Sequence, residues 1–161
     1  MIKQTIYFLL VLIFCFSCDE NNGQSNALTF EKLLVNSKEN PSTIESEQPL
    51  FSWIIDAEGY NKSQLSYHIL VASSKDKLNE KNADLWNSTV VKSDKSTFVK
   101  YHGNPLEALK TYYWKVKIWD NHGAISDWSK IQKFEMGLMN EANWGASKWI
   151  TLNKVNRTSP H

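Results

Sequence analysis

Residues 112–120 read YYWKVKIWD, and strict alternation places Tyr112, Trp114, Val116 and Ile118 on one face and Tyr113, Lys115, Lys117 and Trp119 on the other. A helix would spread those lysines around its circumference, whereas a strand sends them to solvent and gathers the apolar row against a core. The segment therefore predicts a half-buried antiparallel strand and, with it, an all-β fold. Asp120, Asn121, His122 and Gly123 follow as a hairpin signal that asks for positive φ.

Between residues 28 and 136, turn-rich stretches separate further short runs at the spacing of a seven-stranded antiparallel β-sandwich. The runs cover residues 30–36, 50–55, 65–73, 96–101 and 131–136, with short edge pieces at 85–88 and 90–92. Phe51, Trp53 and Ile55 alternate against Leu50, Ser52 and Ile54, and Leu65, Tyr67, Ile69 and Val71 are expected to share a core face. Residues 75–84 read as a solvated loop anchored by Leu78. Trp53, Trp114, Tyr67 and Tyr112 supply a core large enough to stand without disulfides.

The ends follow different rules. Lys3 precedes an uninterrupted apolar run over residues 6–16, about half of the ~20 residues that a membrane-spanning helix needs, so residues 1–17 read as a secretory signal. Cys18 directly follows a small residue at the end of the run, as in the lipobox of bacterial lipoproteins, although Cys15 stands where that pattern favours Leu. Lipidation of Cys18 is the expectation, and an unpaired thiol is the alternative. The product would be exported and held at a membrane, periplasmic or on the cell surface, through its acyl chains. Processing removes Lys3 and Cys15, which excludes an internal disulfide and leaves 17 of the 18 Lys and Arg against 17 Asp and Glu. That balance gives no electrostatic reason to expect nucleic acid as a partner. Residues 18–27 are polar and read as a tether. Residues 137–161 carry Trp144 and Trp149 without a partner strand, and read as a linker stub towards a second domain.

No catalytic apparatus is legible. Asp56 and Glu58, Asp76 and Glu80, and Asp120 and Asp127 are expected to be solvated loop carboxylates, not a pair across a desolvated sugar cleft. His68 on a solvent-facing strand position, and His102 and His122 in turns, lack metal-ligand spacing. No glycine-rich phosphate loop or nucleophile elbow occurs, and neither a metal nor a cofactor is expected. Aromatic side chains outside the core row remain as candidates: Trp86, Tyr113, Trp119, Trp128, Trp144 and Trp149 could stack a sugar, dock a neighbouring domain or simply cover the sheet.

Trp53 behind Pro49, Tyr67 with Ile69, and Leu106 six residues before Tyr112 resemble an immunoglobulin or fibronectin type III-like domain. LLVNSKENP (33–41), PLFSW (49–53), YHILVASS (67–74), DLWNS (84–88), YYWKVKIWD (112–120), DWS (127–129) and the terminal NW and KWI together look like the N-terminal domain of bacterial α-L-rhamnosidases. The resemblance implies a glycoside hydrolase whose further β-domains and (α/α)₆ toroid follow this sandwich, with the toroid carrying the carboxylates that hydrolyse terminal α-L-rhamnosides with inversion. None of those catalytic positions has a counterpart here. The implied partners are a neighbouring β-domain and the catalytic domain, with a plant or pectic glycan as substrate of the parent. A different class is also open, a free-standing surface lipoprotein whose sandwich binds a glycan or a protein.

Overall fold

The computed structural model describes residues 28–57 and 60–147. Cys18 and Trp149 lie outside them. Eight strands form the described part: β1 (Leu28–Val35), β2 (Leu50–Ala57), β3 (Gln64–Ala72), β4 (Trp86–Asn87), β5 (Val91–Lys92), β6 (Val99–Lys100), β7 (Thr111–Asp120) and β8 (Gln132–Glu135). They pair antiparallel into two sheets, β1-β2-β6 and β4-β3-β7-β8, with β5 also on β3. The two expected edge pieces are separate short strands, which raises the count from seven to eight within the same sandwich.

The alternation of β7 is the frame of the core. Tyr112, Trp114, Val116 and Ile118 are buried, while Tyr113, Lys115, Lys117 and Trp119 are half-buried on the other face. From the facing sheet, Phe51 meets Trp114 edge-on at 4.8 Å and Trp53 meets Tyr67 at 5.3 Å. Edge-to-face contact sets the positive rim of one ring against the negative face of the other. At the start of β7, the Tyr112 hydroxyl accepts from the Glu107 amide at 2.8 Å, and Leu106 is buried beside it. Burial pushes the Tyr112 phenol pKa up.

Two bulges correct the simple alternation. In β3 the register shifts between Gln64 and Ser66, so Leu65 is the extra residue and stands 46% exposed instead of in the core row. Gln64 turns inward in its place, accepting from Trp53 Nε1 at 2.7 Å and donating at 3.0 Å to the carbonyls of Ser93 and Lys95. In β1 the shift falls between Phe30 and Lys32. It reverses the parity of the strand, which lets Leu28 point inward at one end and Leu33 and Val35 at the other.

The outer face of the larger sheet is roofed. Leu78, from the loop read as solvated, is buried with Leu70 and Ala72. At the mouth of that loop Asp84 accepts from Lys77 Nζ at 2.8 Å and from Ser73 Oγ and N at 2.6 and 2.9 Å. Burial works to raise the Asp84 pKa, but those donors outweigh it and hold the carboxyl well below the usual carboxylate range. A depressed folded-state pKa contributes stability above the unfolded-state value, about 4, and loses it as pH falls through the folded one. Asp84→Asn is expected to cost roughly 1 kcal/mol at neutral pH. Urea unfolding from pH 7 to pH 2 should show that gap narrowing as proton uptake by the unfolded chain comes to favour unfolding of the parent.

Candidate functional surface

Among the described residues, the aromatic candidates do not gather into one platform. Trp86 belongs to the end of the main core, its ring 6.0 Å from Phe51 and 5.4 Å from Tyr101. Tyr113 packs on the Leu70, Ala72 and Leu78 cluster with Lys75 Nζ 5.6 Å from its ring. Trp119 is half-buried at the far end of β7, where it bridges to Ile125.

Trp128 is held by the backbone around it. Ser126 and Ser129 flank the Asp127–Trp128 pair, and each exchanges two bonds with β7. Ser126 N donates to Ile118 O and Ser126 Oγ accepts from Ile118 N, both at 3.0 Å. Ser129 does the same with Val116, at 2.8 and 3.0 Å. The indole is thereby laid on the outer sheet, with Lys115 Nζ and Lys117 Nζ each 4.7 Å from the Trp128 ring. Burial, and then the like charge of Lys117, lower the Lys115 pKa. His68, expected on a solvent-facing position, is buried under this ring at 5.1 Å and bonds Asn87 Oδ1 at 2.7 Å. Because Asn87 Oδ1 also accepts from the Thr89 amide, His68 Nε2 is the donor. Trp128 thus works as a roof over His68, its ring engaged by lysine cations that a sugar would have to displace.

Asp120 also departs from expectation. It is 1% exposed, and its Oδ1 accepts from the amides of His122 and Ala124 at 2.9 and 2.7 Å, which closes the hairpin that Gly123 turns at φ 85°. It caps a turn and is not a solvated carboxylate. A hollow of about 500 Å³ runs between β1 and residues 125–132, and its carboxylates Glu31, Glu39 and Asp127 are all exposed. Among the described residues no group of three or more His, Cys, Asp or Glu side chains could hold a metal ion, and no helix is long and apolar enough to cross a membrane.

A different kind of surface lies where the chain leaves β8. Met136 N donates to Lys110 O at 2.9 Å and its carbonyl accepts from Leu109 N at 3.1 Å, while Gly137 N reaches Ile44 O at 2.8 Å. Ile44 and Met136 form a parallel bridge, and both are buried. Gly137 passes so close to the neighbouring segment that an added Cβ would lie 2.8 Å from Thr43 Cγ2. A 3₁₀ turn, Glu141–Trp144, then closes under a reciprocal cap between Asn140 and Asn143. The segment read as a linker stub is therefore bonded to the sandwich at Gly137 and packed on its core at Met139 before it enters this turn.

Leu109, Leu138, Met136 and Trp144 line a hollow of about 360 Å³ at this exit, with Thr43 and Thr111 beside them. Leu109 is 72% exposed and Trp144 51%. Leu109 holds φ 60°, a left-handed conformation unfavourable for a side chain of its kind. Sequence pattern points to Trp144 but not to Leu109, which sits outside any periodic run.

Comparison with known proteins places these features. The family described as "Rha78A-like, N-terminal immunoglobulin domain" matches residues 30–140. An α-L-rhamnosidase of Formosa agariphila is 59% identical over 159 residues, which is 99% of this chain and 17% of that relative. The structure of an α-L-rhamnosidase from Dictyoglumus thermophilum superposes with a TM-score of 0.74 at 36% identity, over 80% of this chain and 14% of that one. The crystal structure of the Streptomyces avermitilis α-L-rhamnosidase complexed with L-rhamnose gives 0.69 at 34%, over 74% and 11%. The chain spans about one sixth of the first relative and less of the two solved structures. With the match running through 111–120 and on to residue 140, this chain belongs to the N-terminal immunoglobulin-like domains of the α-L-rhamnosidases.

Proposed function

We propose that this chain is the leading, non-catalytic β-module of an α-L-rhamnosidase-type glycoside hydrolase, and that its work is to support the domains that follow it. The observation that carries this reading is the 59% identity across 99% of the chain to only 17% of an α-L-rhamnosidase. The parent enzyme would hydrolyse terminal α-L-rhamnosides with inversion, using carboxylates of a catalytic domain outside this chain, on a plant or pectic glycan. Within the module, every carboxylate lining the hollow between β1 and residues 125–132 is exposed, so none there is desolvated as a general acid requires. The isolated chain is expected to leave 4-nitrophenyl α-L-rhamnoside unhydrolysed, and native protein detected with an antibody to the chain should run well above the mass of 161 residues. Turnover by the isolated chain, or a native mass matching 161 residues, would overturn the reading.

The same reading takes the protein to a membrane. The apolar run of residues 6–16 and Cys18 behind it support export and acylation. Acyl chains bind at about 0.8 kcal/mol per buried methylene, so two or more hold a protein stably. Cys18→Ala is expected to move the protein from the membrane pellet to the soluble fraction and to abolish labelling by palmitate; an unchanged distribution would remove the anchor.

A further inference from the structure

We infer that the hollow at the exit, built on Leu109, Leu138 and Trp144, is the seat of the polypeptide that follows this module in the longer relatives, and that the contact is a fixed joint, not a loose hinge. The inference rests on the reading of the chain as a leading module and adds to it a location and a partner chemistry.

Three observations converge. The family is named for an N-terminal domain, and the chain covers 17% of the Formosa agariphila relative, so most of that relative's polypeptide follows the equivalent of this exit. The exit is itself immobilised by the bonds of Met136 to Leu109 and Lys110 and of Gly137 to Ile44, which fixes the direction in which the chain departs. A fixed departure brings whatever follows against the same few residues each time. Finally, Leu109 combines a strained backbone with an exposed side chain. Among the described residues, five of the seven non-glycine residues at positive φ are Asn, Ser or Thr, and Phe98 and Leu109 are the apolar exceptions. At 72% exposure Leu109 gains little from the sandwich itself, and Asn would occupy the same backbone at lower cost. Its place beside the exit supplies the missing contact.

The lining defines the partner's chemistry. An apolar floor of Leu109, Leu138 and Met136 accepts a leucine or aromatic side chain from the following domain, and the hydroxyls of Thr43 and Thr111 and the exposed carboxylate of Glu45 favour amide or basic groups around it.

The test exchanges the whole chain for the segment it matches in the Formosa agariphila relative and compares this chimera with the isolated chain. In the isolated chain, Leu109→Asn is expected to leave the unfolding midpoint unchanged or raise it by a few degrees, because strain is relieved. In the chimera the same substitution should lower the module's midpoint by about 5 °C or more and separate its calorimetric transition from the rest. Thr89→Asn, which relieves the same backbone region far from the exit at φ 53°, should not lower the midpoint in either setting. The inference is overturned if Leu109→Asn behaves alike in both settings, whether neutral, stabilising or destabilising. If instead the unsubstituted chimera lacks rhamnosidase activity or aggregates, the assignment of the chain as a leading module falls, and the joint with it.

Discussion

Phe51→Ala is expected to destabilise the sandwich by about 3 to 5 kcal/mol, a large part of the roughly 5 to 15 kcal/mol that folds of this size possess. Phe51 is fully buried and is in ring contact with Trp86, Tyr101, Trp114 and Phe134, at 6.0, 6.4, 4.8 and 5.8 Å. Removing it opens a cavity between the two sheets that its neighbours are poorly able to fill, since Trp86 is held against Tyr101 and Phe134 against Tyr112. Urea unfolding should show a lower midpoint with an unchanged slope, since the surface exposed on unfolding hardly alters. The Trp114 indole adds a specific signature. Its Nε1 is buried without a hydrogen-bonding partner, so any water admitted by the cavity would find a donor there, and the indole emission should move to the red.

Gln64→Leu should prove almost as damaging, although it places an apolar residue at a buried position. Leucine at 64 would leave Trp53 Nε1 without its acceptor and the carbonyls of Ser93 and Lys95 without their donor. Each buried polar group so abandoned costs about 1 to 3 kcal/mol, which the gain in apolar burial does not offset, and a net loss of roughly 2 to 4 kcal/mol is expected. Gln64→Glu separates shape from bonding. A carboxylate has no hydrogen to donate to those two carbonyls, so the variant should be weak at neutral pH and recover part of its stability as the introduced acid is protonated. Chemical unfolding at pH 7 and pH 4 reads both substitutions, and a Gln64→Leu protein as stable as the parent would show that the bridge has little energetic role.

The same residues mark the boundary of what a linear pattern can convey. Strict alternation located β7 and the inward row of β2, because burial on one face leaves its imprint on every second residue. It misplaced Leu65, since a bulge adds a residue without changing local composition, and the polar Gln64 gives no hint that it will answer an indole eleven positions earlier. Alternation alone puts His68 on the solvent side for a similar reason. The roof above it is Trp128, and only the paired bonds of Ser126 and Ser129 to β7 bring that ring across. Two serines three apart around an Asp–Trp pair are a signal for that arrangement, visible once the bonding is known. Composition makes Asp120 a loop carboxylate, whereas its position at the strand's end lets it bond two amides of its own turn. At the exit, Trp144 announces itself, but Leu109 acts through φ and exposure, neither of which a residue name records.

The path of the chain through the sandwich also sets a distance. The described chain enters at Leu28, opposite the final residue of β2, and leaves beyond Glu135, opposite the first residue of β7, where the β1–β2 connection also lies. Entry and exit thus stand at opposite ends of a body whose longest strand is the 10 residues of Thr111–Asp120, about 30 Å at the rise of an extended strand. A linker of equal residue count would let its ends wander, but this module is a strut. Whatever is joined at the exit is carried that span from the point where the chain enters at Leu28, and the span is written in the length of β7.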